Sequence, residues 1–313
     1  MAHNTIYFPF FVPPVTGGDF VAVDHIAGLN RIGFDAKALY LNSDLGYLQF
    51  DVPRVQGPVN LQNNDIIVIG EIHKNLFNRL RSVKCRKVLH NQNPYYTFSG
   101  FDSAKQTNDY PFECVITPSE FTKNILLSMG VTKPIYRIHP FIPSYFIAGE
   151  KNLQIAFSPN KRPVESRFLM GYFQAKYASL AHIPWIPLTQ MARPACAQIL
   201  AQSAIYAAFP LLEGLGLMNL EAMAAGCLVV GYRGHGGSEY ATDNNGVWIE
   251  DGNHEEFAQK LKDACQLVQS ASPNSYVENA VATAHTFSLE NFEQQLKEVY
   301  LAIMGSGVEM FRK

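Results

Sequence analysis

The sequence predicts an α/β protein built from two doubly wound domains. Short apolar strands alternate with helical stretches, and the connections between them are short. Such alternation is typical of parallel sheets that are covered by helices on both faces. The pattern starts afresh after a proline-punctuated stretch at residues 139–144, and a length of 313 residues is enough for two domains. We therefore predict one domain over residues 1–147 and a second over residues 148–313.

In the first half, six short segments that are apolar or have an apolar centre are predicted to be strands. They lie at residues 6–12, 36–41, 65–70, 86–90, 114–116 and 135–138. Between the first two runs, apolar residues recur at helical spacing over residues 20–29, and Gly33 ends that helix. Thr117 and Glu120 have the spacing of a capping box, and Pro118 suits the first helical position, so a second helix is predicted there.

The second half repeats this organisation. Predicted strands lie at residues 153–157, 185–188, 205–209, 227–232 and 247–250, and predicted helices lie at residues 164–181, 195–203 and 217–225. Three further helical stretches close the chain, the last from about residue 289. Ligands of doubly wound sheets bind beside the carboxyl ends of the strands. With two such domains, we expect the site in a cleft between them.

Composition and charge exclude several classes of protein. The formal net charge is −2 and the pI is near 6.5, so we expect no nucleic-acid partner. The five cysteines form no C-x-x-C pair and their number is odd, which argues against a zinc site or a disulfide framework. No apolar stretch reaches the roughly 18 residues that span a bilayer. Prolines interrupt the apolar segment near the N-terminus, which argues against a signal peptide. We expect a cytoplasmic protein with reduced thiols.

The strongest chemical signal lies in residues 209–225, FPLLEGLGLMNLEAMAA. Glu213 ends a predicted buried strand, and Glu221 is expected in the first turn of the next helix. Carboxylates only accept hydrogen bonds, so the pair suits a neutral ligand rich in hydroxyl groups. Gly214 and Gly216 let the backbone approach a ligand, and the helix N-terminus favours a phosphate. The dipole of its own helix also explains Glu221 alone, but that alternative leaves Glu213 unexplained.

These residues resemble the E-x7-E signature of glycosyltransferase family four, whose members are retaining enzymes of the GT-B type. The likeness continues in GGSEYATDNNGVWIEDG at residues 236–252, in Gly17 and Gly18, and in TPSEFTKNILLSMGV at residues 117–131. It covers nearly the whole chain and is most specific over residues 205–252. The resemblance implies two Rossmann-like domains that face each other across a cleft, with the acceptor on the N-terminal side, the nucleotide sugar on the C-terminal side, and the last helix crossing back.

The resemblance also implies a set of donor-binding residues. Glu221 would hold the ribose hydroxyls of the nucleotide, and Glu213 would be a catalytic residue that holds the hydroxyls of the donor sugar. Gly17 and Gly18 would bring backbone N–H groups to the diphosphate, although the two glycines alone favour a simple helix-entry turn. The segment between the glutamates would line the donor site through Gly214, Leu215, Gly216 and Leu217.

Cations are expected where the diphosphate leaves, because an enzyme without a metal neutralises that charge with fixed cations or amide dipoles. Family members usually place an arginine and a lysine after the first strand of the second domain. The candidates here are Lys161, Arg162 and Arg167; a solvated basic loop is the alternative. The resemblance further implies that His90, and secondarily His235, contacts the sugar or the acceptor, whereas a lone histidine can equally be structural.

A basic stretch at residues 73–87 has two interpretations. It contains lysines and arginines without any acid, and apolar residues interleave at helical spacing. A basic amphipathic helix can lie on an anionic membrane surface, which would give a peripheral membrane contact through residues 74–87. An apolar stripe that faces the core, with a solvated basic face, is the favoured explanation.

We therefore predict a metal-independent hexosyltransferase that moves a sugar from a nucleoside diphosphate sugar to a hydroxyl of a carbohydrate or lipid-linked acceptor, with retention of configuration. Such a reaction belongs to polysaccharide or glycoconjugate biosynthesis. No cofactor is expected besides the donor, and the sequence has no Asp-x-Asp dyad of the type that holds a divalent metal. Two alternatives stay open, namely a nucleotide-sugar-binding protein without catalysis and a nucleotide-sugar epimerase on the same frame.

Overall fold

The computed structural model describes residues 4–11, 16–41, 51–270 and 275–305. Contacts between residues divide the chain into two units. Unit 1 comprises the described residues up to Pro140 together with those from Glu290 onward, and unit 2 runs from Phe141 to Leu289. Each unit contains one parallel β-sheet. The predicted α/β class with two doubly wound domains is confirmed.

Unit 1 is organised around a seven-stranded sheet with the order β3-β2-β1-β4-β5-β6-β7. The strands are β1 (Thr5–Phe10), β2 (Asp35–Tyr40), β3 (Arg54–Gln56), β4 (Ile66–Gly70), β5 (Arg86–His90), β6 (Cys114–Thr117) and β7 (Ile135–Arg137). The central strands β4, β5 and β6 are buried along nearly their whole length, as expected in a parallel sheet. The sequence does not predict β3, because its three residues form no apolar run and are partly exposed.

The helices of unit 1 come from the N-terminal and the C-terminal parts of the chain. They are α1 (Gly17–Arg31), α2 (Lys74–Leu80), α3 (Thr97–Gly100), α4 (Ala104–Asp109), α5 (Glu120–Ser128) and the last helix, α11 (Leu289–Ile303). A Cβ atom at Gly28 would lie 2.6 Å from Leu296 Cδ1 and 2.9 Å from the ring of Phe292. Glycine at this position therefore allows α1 and α11 to pack closely.

The start of α5 differs from the predicted capping box. Thr117 is the last residue of β6, and the N-cap is Ser119, whose hydroxyl accepts a hydrogen bond from Thr122 N at 3.0 Å. Thr117 pairs with Arg137 in the sheet and its hydroxyl donates to Ser119 O at 3.3 Å, so it is part of the strand and the capping role falls to Ser119. The end of the helix is as expected, because Gly130 adopts a positive φ of 89° there.

Unit 2 contains a five-stranded sheet with the order β12-β11-β10-β8-β9. Its strands are β8 (Asn152–Phe157), β9 (Trp185–Pro187), β10 (Ser203–Ala208), β11 (Leu228–Tyr232) and β12 (Val247–Ile249). Its helices are α6 (Pro163–Lys176), α7 (Arg193–Gln202), α8 (Leu217–Ala224), α9 (His254–Gln269) and α10 (Ser275–His285). Every residue of β10 and β11 is buried, so these two strands form the centre of the unit.

The strand order places a topological switch point in each sheet. In unit 1 the order reverses between β1 and β4, and in unit 2 it reverses between β8 and β10. The loops that follow the two strands at such a point run to opposite sides and leave a crevice at the carboxyl edge of the sheet. The loops after β1 and β4 in unit 1, and after β8 and β10 in unit 2, are therefore the expected positions of ligand-binding residues.

The basic stretch does not form one continuous amphipathic helix. Helix α2 ends at Leu80, while Arg86 and Lys87 belong to β5. Leu76 and Phe77 are buried in the core of unit 1, and the Lys87 ammonium donates to two backbone carbonyls, which favours the core-facing interpretation. Among the helices within the described ranges, none combines the length and the apolar character needed to cross a bilayer.

Candidate active site

A pocket opens at the switch point of unit 2. It is lined by residues of β10, of the loops after β8 and β10 and of the start of α8, namely Ser158, Lys161, Tyr206, Phe209, Pro210, Glu213, Gly216, Leu217, Met218 and Asn219. The structure thus brings three predicted features together in one place: the first glutamate, one of the candidate cations and the helix N-terminus. All of these residues belong to unit 2.

Glu213 faces a cation in this pocket. Its carboxylate lies 3.6 Å from Lys161 Nζ, and a quarter of the side chain is exposed. Burial raises the pKa of Glu213, while the nearby Lys161 acts in the opposite direction. The backbone is fixed as well, because Gly236 N donates to Glu213 O at 3.1 Å. Glu213 and Lys161 form a polar pair whose atoms remain accessible to a ligand.

The two glycine segments pack against each other beside the pocket. A Cβ atom at Gly236 would lie 2.3 Å from the carbonyl carbon of Gly214, so only glycine fits there. Gly216 has a positive φ of 86° and forms the N-cap of α8. Since Gly216 has no side chain, the first N–H groups of α8 receive no capping bond from it and remain suited to an anion.

Glu221 lies in the second turn of α8, not in the first as predicted from the sequence. The field of a helix terminus acts within its first turn, so the dipole no longer explains this residue. Glu221 is 4 % exposed, and its Oε1 accepts hydrogen bonds from Arg193 Nε at 3.0 Å and Nη2 at 2.6 Å. Burial raises the pKa of Glu221, and Arg193 opposes that rise. The sequence analysis missed Arg193.

The three candidate cations have different environments. Lys161 lines the pocket, whereas Arg167 is an exposed residue of α6 outside the lining. The guanidinium of Arg162 is 12 % exposed and lies 4.8 Å above the ring of Tyr232. It donates to Glu165 at 2.8 Å, to Asp251 at 2.6 Å and to a backbone carbonyl at 3.0 Å. Arg162 is thus engaged in the fold of unit 2, and Lys161 is the candidate cation that lines the pocket.

Neither predicted histidine is among the residues that line this pocket. His90 ends β5 in unit 1, and its ring centroid lies 4.7 Å from that of His25. Burial lowers the pKa of His90 to about 4 and lowers that of His25 well below its usual value, with His90 as a second cause for His25. Both rings are therefore neutral at physiological pH. His235 is exposed and precedes the turn Gly236–Glu239.

Gly17 and Gly18 form the first turn of α1. Thr16 caps this helix in a reciprocal capping box with Asp19, which matches the helix-entry turn favoured by the glycines alone. The side chain of Gln92 donates to Gly18 O at 3.1 Å. Residues 12–15 of the predicted loop lie outside the described ranges.

The structure shows a buried carboxylate at the switch point of unit 1, that of Glu71, which was not predicted from the sequence. Glu71 follows β4, and its carboxylate accepts hydrogen bonds from Gln92 N at 3.2 Å and Asn93 N at 3.0 Å. Burial raises the pKa of Glu71 to about 7, although these backbone donors act against the rise. The signal that singled out Glu213, an acid at the end of an apolar run, is also present at Glu71.

Over residues 4–11, 16–41, 51–270 and 275–305, no group of three or more His, Cys, Asp or Glu side chains is arranged to hold a metal ion.

Comparisons with known proteins define the class to which this fold and pocket belong. The family model of the glycosyl transferases group 1 matches residues 186–281, which include the pocket loop and α8. The alpha-1,6-glucosyltransferase of Actinobacillus pleuropneumoniae serotype 7 (strain AP76) is 35% identical over 321 residues, covering 98% of this chain and 97% of that protein. The protein is a glycosyltransferase. It belongs to the group 1 glycosyl transferases.

Solved structures show the same architecture. Anabaena HepE in complex with UDP-glucose matches with a TM-score of 0.73 and 14% identity, over 96% of this chain and 100% of that chain. The pneumococcal O-GlcNAc transferase GtfA, in complex with UDP and GlcNAc, matches with a TM-score of 0.72 and 10% identity, over 97% and 100% of the two chains. At such low identity the likeness concerns the fold alone, which is of the GT-B type.

Proposed function

We propose that this protein is a retaining, metal-independent glucosyltransferase that uses UDP-glucose and forms an α-1,6 linkage to a carbohydrate acceptor. The observation that carries the proposal is the pocket of unit 2, where Glu213, Lys161 and the N-terminus of α8 meet. The sugar and linkage are taken from the 35% identical glucosyltransferase, and the nucleotide from the HepE and GtfA complexes.

The proposed reaction is a glucosyl transfer in which all atoms and charges balance. The bond between C1 of glucose and the β-phosphate oxygen breaks, and the bonding electrons stay on that oxygen. The acceptor hydroxyl oxygen forms the new bond to C1, and its proton goes to the departing phosphate. The products are UDP and the glucosylated acceptor.

The residues of the pocket match the charges of this reaction. Negative charge grows on the β-phosphate, and Lys161 together with the first N–H groups of α8 would stabilise it. The Glu213 carboxylate would accept hydrogen bonds from glucose hydroxyls, and Lys161 at 3.6 Å favours its ionised form. Glu221, on the buried face of the same helix, would bind the ribose hydroxyls.

Retention follows from the anomeric forms of donor and product. UDP-glucose is an α-glucoside, and an α-1,6 linkage keeps that configuration at C1. Retention is therefore proposed on the basis of the relative's α-linked product. A β-linked product from the same donor would contradict it.

Nucleotide release with a panel of donors and acceptors tests this proposal. The purified protein is incubated with UDP-, GDP-, ADP- and dTDP-sugars and with mono- and disaccharide acceptors, in the presence of a metal chelator. We expect acceptor-dependent release of UDP from UDP-glucose, and at least a hundredfold lower rate in Glu213→Gln, about the loss seen when a charge-stabilising group is removed. Release that requires an added divalent metal would contradict metal independence. A nucleotide-dependent rise in melting temperature without any release would indicate a binding protein instead.

A further inference from the structure

Arg193 occupies an unfavourable place in its own helix. It is the first residue of α7, ahead of Pro194, and the N-cap Ala192 provides no capping bond. The N-terminus of a helix carries partial positive charge, so a cation there is disfavoured by the helix dipole. Helix formation therefore does not account for Arg193. Its observed partner is Glu221 of α8, which balances the charge at 2.6 Å.

The geometry of this ion pair leaves part of the carboxylate accessible to a ligand. Both Arg193 Nε and Nη2 bond to the same oxygen, Oε1 of Glu221. A fork-shaped pairing would engage both carboxylate oxygens, whereas this end-on pairing engages one. No hydrogen bond of Oε2 is formed with any described residue. Arg193 is itself fixed on a second side, because its guanidinium carbon lies 5.9 Å from the ring centroid of Phe146.

We propose that Arg193 is a positioning residue that keeps Glu221 ionised and presents Oε2 to the ribose hydroxyls of the nucleotide. This inference rests on the proposed function, in which Glu221 binds the nucleotide. Arg193 itself is not assigned a contact with the substrate.

The surroundings of Glu221 make this role specific to Arg193. On α7, burial and then Glu221 raise the pKa of Cys196, and on β10 the same two causes raise that of Tyr206, so both groups stay uncharged. Helix α10 also packs on α8 and carries Tyr276, Glu278 and His285. Arg193 is the one charged side chain within the described ranges that shifts the pKa of Glu221.

Loss of Arg193 should make nucleotide binding depend on pH. Burial alone favours the protonated carboxyl, so Arg193→Met moves the pKa of Glu221 further upward and leaves less carboxylate at neutral pH. We expect UDP affinity in Arg193→Met to be roughly tenfold to hundredfold weaker than wild type near neutral pH, since hydrogen bonds to a charged group are lost. The affinity should recover as the pH rises, while that of the wild type stays constant.

Calorimetric titration with UDP, from about pH 6 to about pH 9, tests the inference on four proteins. Wild type, Arg193→Met, Arg193→Lys and Glu221→Gln are compared, and their circular dichroism and melting temperatures are checked first. We expect Arg193→Lys to keep a nearly flat pH profile, because the positive charge is retained. Glu221→Gln should bind weakly at every pH, because no carboxylate can be restored. If Arg193→Met does not fold, Arg193→Lys and Glu221→Gln carry the comparison.

The outcomes separate the two proposals. If Glu221→Gln binds UDP as wild type does, the assignment of Glu221 fails and the inference fails with it. If Glu221→Gln is weak but Arg193→Met keeps wild-type affinity at all pH values, only the role of Arg193 is overturned. An equal loss at every pH in Arg193→Met also overturns it, because a purely structural or direct-contact role predicts no recovery. If the UDP affinity of Arg193→Lys varied with pH as steeply as is expected for Arg193→Met, this would likewise contradict a charge-based role.

Discussion

The two units differ in how they treat a buried carboxylate at the switch point of the sheet. In unit 2, Glu213 after β10 faces Lys161 at 3.6 Å, and Glu221 nearby is paired with Arg193. In unit 1, Glu71 after β4 is held by two backbone N–H groups, and burial raises its pKa to about 7. One unit thus balances its acids with cations, and the other uses amide dipoles.

This difference indicates what each edge can bind. Opposite charges that remain accessible suit a ligand with both phosphate and hydroxyl groups. In unit 1, His25 and His90 are neutral at neutral pH and Glu71 is close to its midpoint, so these three groups carry less charge than the ion pairs of unit 2. Such an edge suits a neutral ligand. The electrostatics of the two sheet edges therefore predict that unit 2 binds a charged ligand and that unit 1 binds a neutral one.

The largest expected effect is at Glu213. Glu213→Ala should lower kcat by about a hundredfold to a thousandfold, because an interaction with the reacting sugar is lost. Its affinity for free UDP should stay within about threefold of wild type, since UDP carries no glucose. Steady-state kinetics with UDP-glucose and calorimetry with UDP provide the two readouts. Equal losses in kcat and in UDP affinity would show that Glu213 also binds the nucleotide. Its role would then not differ from the one proposed for Glu221.

The cations after β8 should separate into a catalytic one and a structural one. Lys161→Ala should reduce kcat by roughly tenfold to a hundredfold and leave the melting temperature unchanged, because its side chain is 44% exposed. Arg162→Ala should lower the melting temperature by several degrees, because it removes the ion pairs that Arg162 forms with Glu165 and Asp251. Melting curves and rates on both variants give the comparison, and the reverse pattern would exchange the two roles.

The histidines of unit 1 should make the protein sensitive to acid. Their pKa values in the folded protein lie below the usual value of 6.5. Their contribution to the free energy of unfolding is therefore fully present above pH 6.5 and is lost as the pH falls toward about 4. His90 alone corresponds to about 3 kcal/mol over this range. In His25→Leu, which also removes two ring nitrogens without hydrogen-bond partners in the described structure, urea unfolding should show a smaller acid loss. An unchanged pH dependence would contradict the shifted pKa of His25.

Glu71 should act in the opposite direction and with the smallest effect. Its folded pKa of about 7 exceeds the usual 4.5, so the free energy of unfolding falls as the pH rises between these values. The full shift corresponds to about 3 kcal/mol, which offsets part of the histidine effect in the wild type. Glu71→Gln should therefore show a steeper gain in stability from pH 4.5 to 7 than wild type. A slope equal to that of wild type would mean that Glu71 stays ionised throughout.

The sequence was sufficient for the parts that depend on local pattern. Strand β11 is a nearly continuous apolar run and β5 has an apolar centre, and the predicted bounds of both differ from the observed ones by at most one residue. Strand β3 was missed because it is short and partly exposed, and its place is set by pairing with β2. The start of α5 was wrong because Thr117 is held in β6 by pairing with β7, and Ser119 provides the cap instead.

The site was predictable where its residues are close in the chain and not where they are distant. Glu213 and the start of α8 belong to one segment, so their spacing identified them. Arg193 lies on another helix and meets Glu221 only in the folded unit, although a cation at a helix start was a usable signal. Arg162 illustrates the converse, because its sequence neighbourhood indicated a phosphate ligand while Asp251, far along the chain, engages it.

The configuration of the product tests the central claim most directly. The protein is incubated with UDP-glucose and an accepted saccharide in the presence of a chelator. Proton NMR then records the anomeric signal of the new linkage. We predict a new signal with the small coupling of an α-glucoside, which is absent from a parallel reaction with Glu213→Gln. A new signal with the large coupling of a β-glucoside, or no transfer until a divalent metal is supplied, would contradict the account.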